Sequence, residues 1–447
     1  MKIKVSHLLQ VRVCLIVSSE QPTLMKNESS FAFSKEFNTL WIITVSNERM
    51  RGIFVKITGF EIIVVGAPWR ELTIVEVQTD EGITGVGEVR MVNKTDTLVS
   101  AIQELGDRYL IGSDPADLSK LAWNIQVAEY GLPGEVGQSA LAAFDIACWD
   151  ILGKSLGVPI YKLLGGIFTE RVEAYANGWY QGDRDPKIIA EYASKVVERG
   201  YRGLKMDPFG HASAEMTTAD LRRSVGILEA VRDTVGPDIQ IYVEMHGRFT
   251  SHTARRVAKA IEHIEPGWIE EPVLPMDVSG LRSVRNHTHL PIALGERIHE
   301  PSALIPFLEE GLVDILQVDT THHAGITGLQ RLVGWSDAYN VRLAPHNVCG
   351  PIGTAAALHV AIAASNTKVL EHFNDFADPW VHEIVEGAPY VNPKDGAFDL
   401  PTAPGLGLTL NKEICAKHPR TGGRLALYAA GWEKRQDAKN YDAHGKK

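Results

Sequence analysis

Apolar and polar positions change their spacing along the chain, and the changes mark its elements. Phe54–Val65 and Leu72–Thr79 are runs of strand-forming residues, and Asp80 to Gly87 supply turn chemistry between strands. Residues 95–127 carry apolar positions at helical spacing, and Gln138–Gly153 predicts a further long helix. This opening block reads as a small α+β domain ending near Gly165-Gly166. An alternation follows. Val172–Ala176 predicts a strand, and Asp185-Pro186 opens a helix as N-cap and first helical residue. The buried stripe of that helix is Ile188, Ile189, Tyr192, Val196 and Val197, with Gly200 placed to end it. Gly203–Met206, Ile239–Val243, Trp268–Ile269, Pro291–Leu294, Ile315–Val318, Arg342–Ala344 and Lys368–Leu370 predict seven more strands. Helical stretches such as Thr253–His263, Pro301–Glu310, Thr327–Tyr339 and Ile352–Ala364 lie between them. Eight strands alternating with helices predict an α/β fold, a (β/α)8 barrel or a closely related parallel sheet.

Polar residues stand where these strands stop: Lys205, then Glu244, Glu270, Glu296, Asp319, His346 and Glu371. From Glu244 onward they are spaced 26, 26, 23, 27 and 25 residues apart, about the length of one βα unit in a barrel of roughly 250 residues. One such carboxylate would pass as a cap for the next helix. Six in phase point instead to the C-terminal mouth of a barrel, where barrel enzymes place their chemistry.

At 447 residues length alone suggests about three domains, a prior that barrels commonly overrun. With 45 Lys+Arg against 55 Asp+Glu the formal charge is −10, which argues against a general nucleic-acid binder because phosphate neutralisation needs clustered cations. Cys14, Cys148, Cys349 and Cys415 form no C-x-x-C pair, which suits a reduced, cytoplasmic protein better than a disulfide framework or a structural zinc site. No run reaches the 18 to 20 or so apolar residues of a membrane helix. Residues 1–49 stand apart. Lys2 and Lys4 ahead of Leu8, Leu9 and Val13–Val17 give one reading, a poor signal peptide interrupted by Arg12. The other is an upstream extension, with Met50 opening the functional protein.

Glu244, Glu270 and Glu296, at consecutive strand ends, make a hard oxygen site suited to Mg2+, whereas zinc would normally bring His or Cys ligands. A metal-dependent hydrolase barrel would want a His-x-His pair at an early strand end, and Val172–Trp179 contains none. Gly82, Gly85 and Gly87 follow the order G-x-x-G-x-G within a hairpin, which is not the dinucleotide fingerprint. The sequons at Asn27, Asn93 and Asn286 are chance matches without a secretory context. His322 and His323 follow the sixth strand and are further candidates to line the pocket.

From about Arg51 to Lys417 the chain resembles the enolase superfamily, specifically its mandelate racemase-like branch, and within it the sugar-acid dehydratases of the gluconate and galactonate type. The resemblance rests on Gly82-Ile-Thr-Gly-Val-Gly-Glu88, Ala142–Gly166, Lys205-Met-Asp207, Glu244-Met-His-Gly-Arg248, Ile269-Glu-Glu-Pro272, Gly295-Glu-Arg297, Asp319, Ala344-Pro-His-Asn347 and Pro404-Gly-Leu-Gly407. It implies a modified (β/α)8 TIM barrel over 167–387 and an α+β capping domain over 50–166. A segment over 388–427 returns to the cap, and a charged tail, 428–447, follows. It further implies that Glu244, Glu270 and Glu296 hold Mg2+, which binds the substrate carboxylate and stabilises an enediolate as a Lewis acid. Lys205 would add positive charge beside the carboxylate, and Glu371 would hydrogen-bond it from the far side. Asp319 would orient His346, the base that removes the C2 proton. Members are often homo-oligomers acting on small molecules.

Two departures narrow the activity. Racemases of this branch carry Lys-x-Lys on the second strand, and here the triplet is Lys205-Met206-Asp207, so the second base is missing. His246, two residues past the first metal ligand, matches the dehydratases, where a His at that place protonates the departing C3 hydroxyl. Asp207 would contact a distal substrate hydroxyl or cap a helix. The second departure is Glu244 where most relatives have Asp, a change of one methylene at a metal ligand. Trp69 and Arg70 lie in the cap loop expected to close over the mouth, where they would set specificity or simply pack at the surface. The predicted activity is Mg2+-dependent dehydration of a C5 or C6 aldonate to a 2-keto-3-deoxy acid. The alternatives are an epimerase or cycloisomerase using the same enediolate, and a non-catalytic binding barrel.

Overall fold

The computed structural model describes residues 30–32, 42–44, 55–67, 70–131, 133–182, 184–422, 425, 427–429 and 432. Both readings of the head therefore lie outside the described residues, save for a short antiparallel pairing of β1 (Ser30–Ala32) with β2 (Ile42–Thr44). Three antiparallel strands, β3 (Ile57–Ala67), β4 (Arg70–Thr79) and β5 (Thr84–Val89), form the sheet of the cap. The helix predicted over 95–127 is divided. An α-helix over Thr95–Leu105 runs into a π-turn at Gly106–Leu110, and a separate helix spans Leu118–Ala128. Gly112, at φ +86°, turns the chain between them, and Pro115 cannot donate to a continuing helix.

The helix Gly134–Leu156 is buried on nearly every side and stops at Gly157 in the left-handed conformation. It lies hard against β5 because Gly85 and Gly87 have no side chains. A Cβ on either would sit 2.1 Å from the Ala147 carbonyl oxygen or 2.0 Å from that of Ala143. The glycines of that hairpin thus serve helix–sheet packing.

The second unit is a ring of eight parallel strands: β6 (Val172–Ala176), β7 (Gly203–Met206), β8 (Gln240–Glu244), β9 (Trp268–Glu270), β10 (Ile292–Leu294), β11 (Ile315–Leu316), β12 (Arg342–Leu343) and β13 (Leu370–His372). Each pairs with the next from β6 to β12. The strand β13 pairs back onto β6, and a parallel bridge from Leu343 to Thr367 completes the circle. Helices Pro186–Glu198, Thr218–Val235, Ser251–Ala260, Val278–Arg285, Ile305–Glu309, Gly325–Ala338 and Pro351–Ala363 separate the strands along the chain. Pro306 lies in the first turn of its helix, and the four residues before that turn wind as a 3-10 turn, so the helix predicted over Pro301–Glu310 is shortened.

Tyr175, Tyr242, Trp268, Ala293, Ile315, Ala344 and Val369, on or beside seven of the eight strands, pack together as one buried cluster, with Tyr242 and Trp268 stacked at 3.5 Å. Side chains two apart on a strand share a face. This aromatic layer therefore carries Glu244 and Glu270 one step nearer the mouth.

Two buried carboxylates tie the cap to the barrel and to the C-terminal segment. Glu88 on β5 accepts backbone N–H groups from Gly350, Ile352 and Gly353 at the start of the helix Pro351–Ala363, where orphan amides and the helix dipole favour an anion. Asp150 accepts from Val86 N and, at 2.9 Å, from Leu406 N of the C-terminal segment. That segment first adds a hairpin, β15 (Val391–Asn392) and β16 (Ala397–Phe398), antiparallel to β6, so its opening residues belong to the barrel. It reaches the cap later, with Gly66 N donating to the His418 carbonyl and Lys412 paired with Glu61 and Glu76. Among the described residues, no helix is long and apolar enough to cross a membrane.

Candidate active site

The strand-end residues converge at the barrel mouth. Glu244 ends β8, Glu270 ends β9, and Glu296 follows Gly295 just beyond β10. Gly295 adopts φ +144°, and a Cβ there would meet the backbone of Gln317 and Val318 at 2.9 Å; this close approach to the next strand leaves room for no other residue. One oxygen from each of the three glutamates lies within 4.8 Å of the others. Lys205, on β7 and buried, reaches Glu270 at 2.7 Å, Glu371 at 2.9 Å and Glu244 at 3.5 Å. Burial alone would lower its ammonium pKa, but the carboxylates of Glu270 and Glu371 outweigh that and raise it well above the usual lysine range. Burial and the neighbouring charge of Glu270 push Glu244 well up. Burial works against ionisation of Glu270 too, yet Lys205 holds it below the usual range. Crowded hard-oxygen donors that repel one another fit a divalent cation, and Glu244 takes its place among them despite its added methylene. Trp268 Nε1 and Gln317 Nε2 donate to Glu270 Oε2 at 3.0 and 2.8 Å, fixing that side chain from behind.

Two histidine–aspartate pairs flank this cluster. Asp319 Oδ2 is 2.6 Å from His346 Nδ1, while Thr321 donates to Oδ1 from its amide and its hydroxyl, each at 2.7 Å. Burial opposes ionisation of Asp319, but His322 and His346 hold its carboxyl far below the usual range. His346 Nε2 lies 3.0 Å from Glu296 Oε2. Burial disfavours its charged form, and Glu296 with Glu371 raises its pKa well above the ordinary value nonetheless.

The second pair is Asp207 with His246, whose Nδ1 is 2.8 Å from Asp207 Oδ2. Arg248 Nη2 lies 2.7 and 2.8 Å from the two oxygens of Asp207, and Phe209 N donates at 2.9 Å. Burial resists ionisation of Asp207, yet Arg248 and His246 bring it down to about 2. His246 is lowered by burial. Its backbone sits at φ +49°, a conformation that a bulky residue adopts only when its surroundings enforce it. Here Glu244 Oε1 accepts the His246 amide at 2.6 Å.

Lys205, Glu244, His246, Glu296 and His346 all line one cavity of about 270 Å3. Glu270, Asp319 and Glu371 stand immediately behind as partners of those side chains. Asp207 is not on the lining. Its carboxylate is buried and held against His246, Arg248 and the Phe209 amide. Arg70 is also away from the lining. It is buried between cap and barrel, donating to the carbonyls of Val348 and Cys349 and, at 2.9 Å, to Asn374 Oδ1, with its guanidinium over the Phe373 ring. Trp69 lies outside the described residues. His322 does face the cavity, its Nδ1 2.8 Å from Ser139 Oγ, whereas His323 is spent on the carbonyls of Asp319 and Ile298.

Several lining residues give no periodic signal in the sequence. Asn177 donates to Glu371 Oε1 at 2.7 Å, while Arg90 and Glu135 come from the cap. Tyr428 and Trp432 lie within the stretch expected to be only a charged tail. They line the cavity beside His246, at ring separations of 5.5 and 6.4 Å, and Trp432 Nε1 donates to the Gly210 carbonyl at 2.9 Å.

Known proteins carry the same two-part organisation. Residues 58–165 match the mandelate racemase / muconate lactonizing enzyme N-terminal domain, and residues 188–414 match the enolase C-terminal domain-like family. A D-gluconate dehydratase of Thermoproteus tenax is 35% identical over 354 residues, 79% of this chain and 71% of that protein. A D-galactonate dehydratase of Ralstonia pickettii (strain 12J) is 35% identical over 76% of this chain and 88% of that protein. The solved structure of a mandelate racemase/muconate lactonizing enzyme from Jannaschia sp. CCS1 superposes with a TM-score of 0.78 at 32% identity, covering 83% of this chain and all of that one. With both domains matched in order around a closed barrel, the chain belongs to the mandelate racemase/muconate lactonizing enzyme family of the enolase superfamily.

Proposed function

We propose that this protein is a sugar-acid dehydratase that removes water from an aldonate such as gluconate or galactonate, using Mg2+. The observation that carries this reading is the pair of histidine–aspartate dyads, His346–Asp319 and His246–Asp207, beside the three-glutamate cluster. Glu244, Glu270 and Glu296 are the side chains that would hold Mg2+, which when bound supplies Lewis-acid stabilisation of the charge that develops on the substrate carboxylate. Lys205 adds fixed positive charge at the same place, in a buried setting where it acts more strongly than in water. His346 accepts the C2 proton at Nε2, because Asp319 commits Nδ1 as the donor nitrogen and Glu296, whose charge raises the His346 pKa against burial, would be turned to Mg2+. His246 also has its Nδ1 on Asp207, whose charge works against burial to favour the imidazolium, and in that form Nε2 carries the proton given to the departing C3 hydroxyl. Collapse of the enediolate expels that hydroxyl as water, and tautomerisation gives the 2-keto-3-deoxy acid. Racemisation lacks support, since Asp207 stands where a second lysine base would be and is locked to Arg248.

We propose with it a cap over 50–166, a barrel over 167–387, a returning segment over 388–427 and a tail over 428–447 that brings Tyr428 and Trp432 to the mouth. A cytoplasmic setting is part of the same proposal, to which the buried free thiols of Cys148, Cys349 and Cys415 lend support, and a homo-oligomer is proposed from the family resemblance. The test is incubation with Mg2+ and a panel of aldonates and aldarates, with 2-keto acids measured as semicarbazones. Turnover of at least one aldonate is expected; no turnover across the panel refutes the assignment.

A further inference from the structure

Successive side chains of a strand face opposite ways, so Glu371 reaches Lys205 while its neighbour His372 turns outward from the barrel interior. There it meets Asp375, from the turn after β13, and His382, from a short helical turn that follows. The Nε2 atoms of His372 and His382 each lie 3.3 Å from the same oxygen, Asp375 Oδ1. The other oxygen is taken: Tyr201 OH donates to it at 2.8 Å and Arg199 Nη2 lies 3.0 Å away. The carboxylate is therefore held so that one oxygen faces two imidazole nitrogens.

At 3.3 Å these contacts lie at the long end of hydrogen bonding. The His372 ring is fully buried, yet neither of its nitrogens makes a hydrogen bond of acceptable geometry. Buried polar atoms are rarely left this way. Metal coordination accounts for the Nε2 spacing and gives that buried nitrogen its partner. Bonds of about 2.0–2.1 Å at a tetrahedral centre place neighbouring donors roughly 3.3–3.4 Å apart, which is the separation found on both sides of Oδ1. The ligand atoms of the three residues fall within 4.8 Å of one another.

We propose that His372, Asp375 and His382 form a second metal site, separate from the carboxylate cluster and taking Zn2+ or a similar borderline divalent cation through two imidazoles and one carboxylate. Two nitrogen donors select against Mg2+, which prefers an all-oxygen shell. His382 is 30% exposed at its side chain, which gives the ion a way in and leaves the fourth position to water. The positive charge of Arg199 is tolerated because its side chain is half exposed and screened. The site ties the turn after β13 to the short helical turn Trp380–Glu383 ahead of the C-terminal segment. That turn carries Phe373, which lines the candidate active site, and Asn374, which holds Arg70, so the proposed role is to stiffen one wall of the cavity. The proposal does not depend on the dehydratase reading.

The test uses the full-length protein, stripped with chelator and kept in excess Mg2+ so that the carboxylate cluster is served. Zn2+ is then titrated against a chromophoric competitor, and thermal melting is followed with and without Zn2+. Wild type should bind one tight equivalent that Mg2+ does not displace, and Zn2+ should raise its Tm. His382→Ala, at a partly exposed position, should weaken that equivalent by 100-fold or more and abolish the Tm shift while leaving the Zn2+-free Tm close to wild type. Glu296→Gln should keep the site. Absence of a tight equivalent in wild type, equal affinity in His382→Ala, or loss in Glu296→Gln would each overturn the proposal.

Discussion

Replacing Asp207 by Asn separates the two halves of the proposed reaction. The change keeps the shape of the side chain and removes its charge. Arg248, whose side chain is nearly buried, would lose the carboxylate that both its contacts at 2.7 and 2.8 Å address. Stranding one member of a buried pair costs about 3–5 kcal/mol, and Phe209 N keeps an oxygen acceptor, so a destabilisation of about 3 kcal/mol is expected. The catalytic loss has another origin. An Asn amide facing His246 Nδ1 has no negative charge, so the imidazolium that must carry a proton on Nε2 loses the group that favours it. Removing a general acid in this way lowers rates by roughly 10^2- to 10^4-fold. Dehydration should therefore fall by that factor at a temperature where the variant is shown to be folded. Proton exchange at C2, which belongs to His346 and Asp319, should survive.

The assay runs both readouts on one sample: semicarbazone formation for dehydration, and loss of the C2 proton signal in D2O for exchange. Asp319→Asn serves as the opposite case, losing both together because it disarms the base. If Asp207→Asn dehydrates within about threefold of wild type, His246 is not the acid or does not need Asp207. If exchange and dehydration fall in parallel, the division of labour between the two dyads is wrong.

Other outcomes follow from contacts outside that pair. Glu88→Ala leaves the amides of Gly350, Ile352 and Gly353 without their acceptor in a buried joint, at about 1–3 kcal/mol for each group. Denaturant unfolding should register a loss of at least about 3 kcal/mol, and a loss below 1 would mean that Glu88 does not hold the cap to the barrel. Asp145 is buried, and that desolvation raises its pKa from 3.8 to about 7 against the pull of its bonds to Thr327. The folded chain thus binds its proton more readily than the unfolded chain, and this contribution is lost as pH rises from about 4 through 7. Asp145→Asn, which can still accept from Thr327 N, should flatten that part of the pH–stability curve and gain on wild type by about 2–4 kcal/mol between pH 4.5 and 8; parallel curves would count against it. Trp432→Ala opens the cavity wall beside His246 and should raise KM about tenfold with kcat little changed. A fall in kcat alone would mean that Trp432 serves the chemistry and does not close the pocket.

What the sequence discloses and what it hides follow one physical division. Glu244, Glu270, Glu296, Asp319, His346 and Glu371 are legible because a barrel repeats one unit, so residues with a common duty at the mouth recur at its period. Asp207 stands at the same level of the barrel, two residues past Lys205, and its position could be read while its partner could not. Its link to His246 spans 39 residues between neighbouring strands, and pairing across strands leaves no mark on the spacing within either. Arg70 fails for a related reason. A cation in a cap loop looks like a hand on the substrate until the carbonyls of Val348 and Cys349, some 278 residues away, are seen to take it. Tyr428 and Trp432 are harder still, since they reach the mouth from a stretch with no period and a composition typical of exposed tails. The His372–Asp375–His382 group is hidden by its own strand: Glu371 takes the interior position, and the next residue, facing outward by the alternation of the same strand, falls outside the period of the mouth. The regularity that exposes one site therefore conceals whatever is built on the opposite face of the same elements, and such faces merit a search wherever a barrel strand ends in two adjacent polar residues.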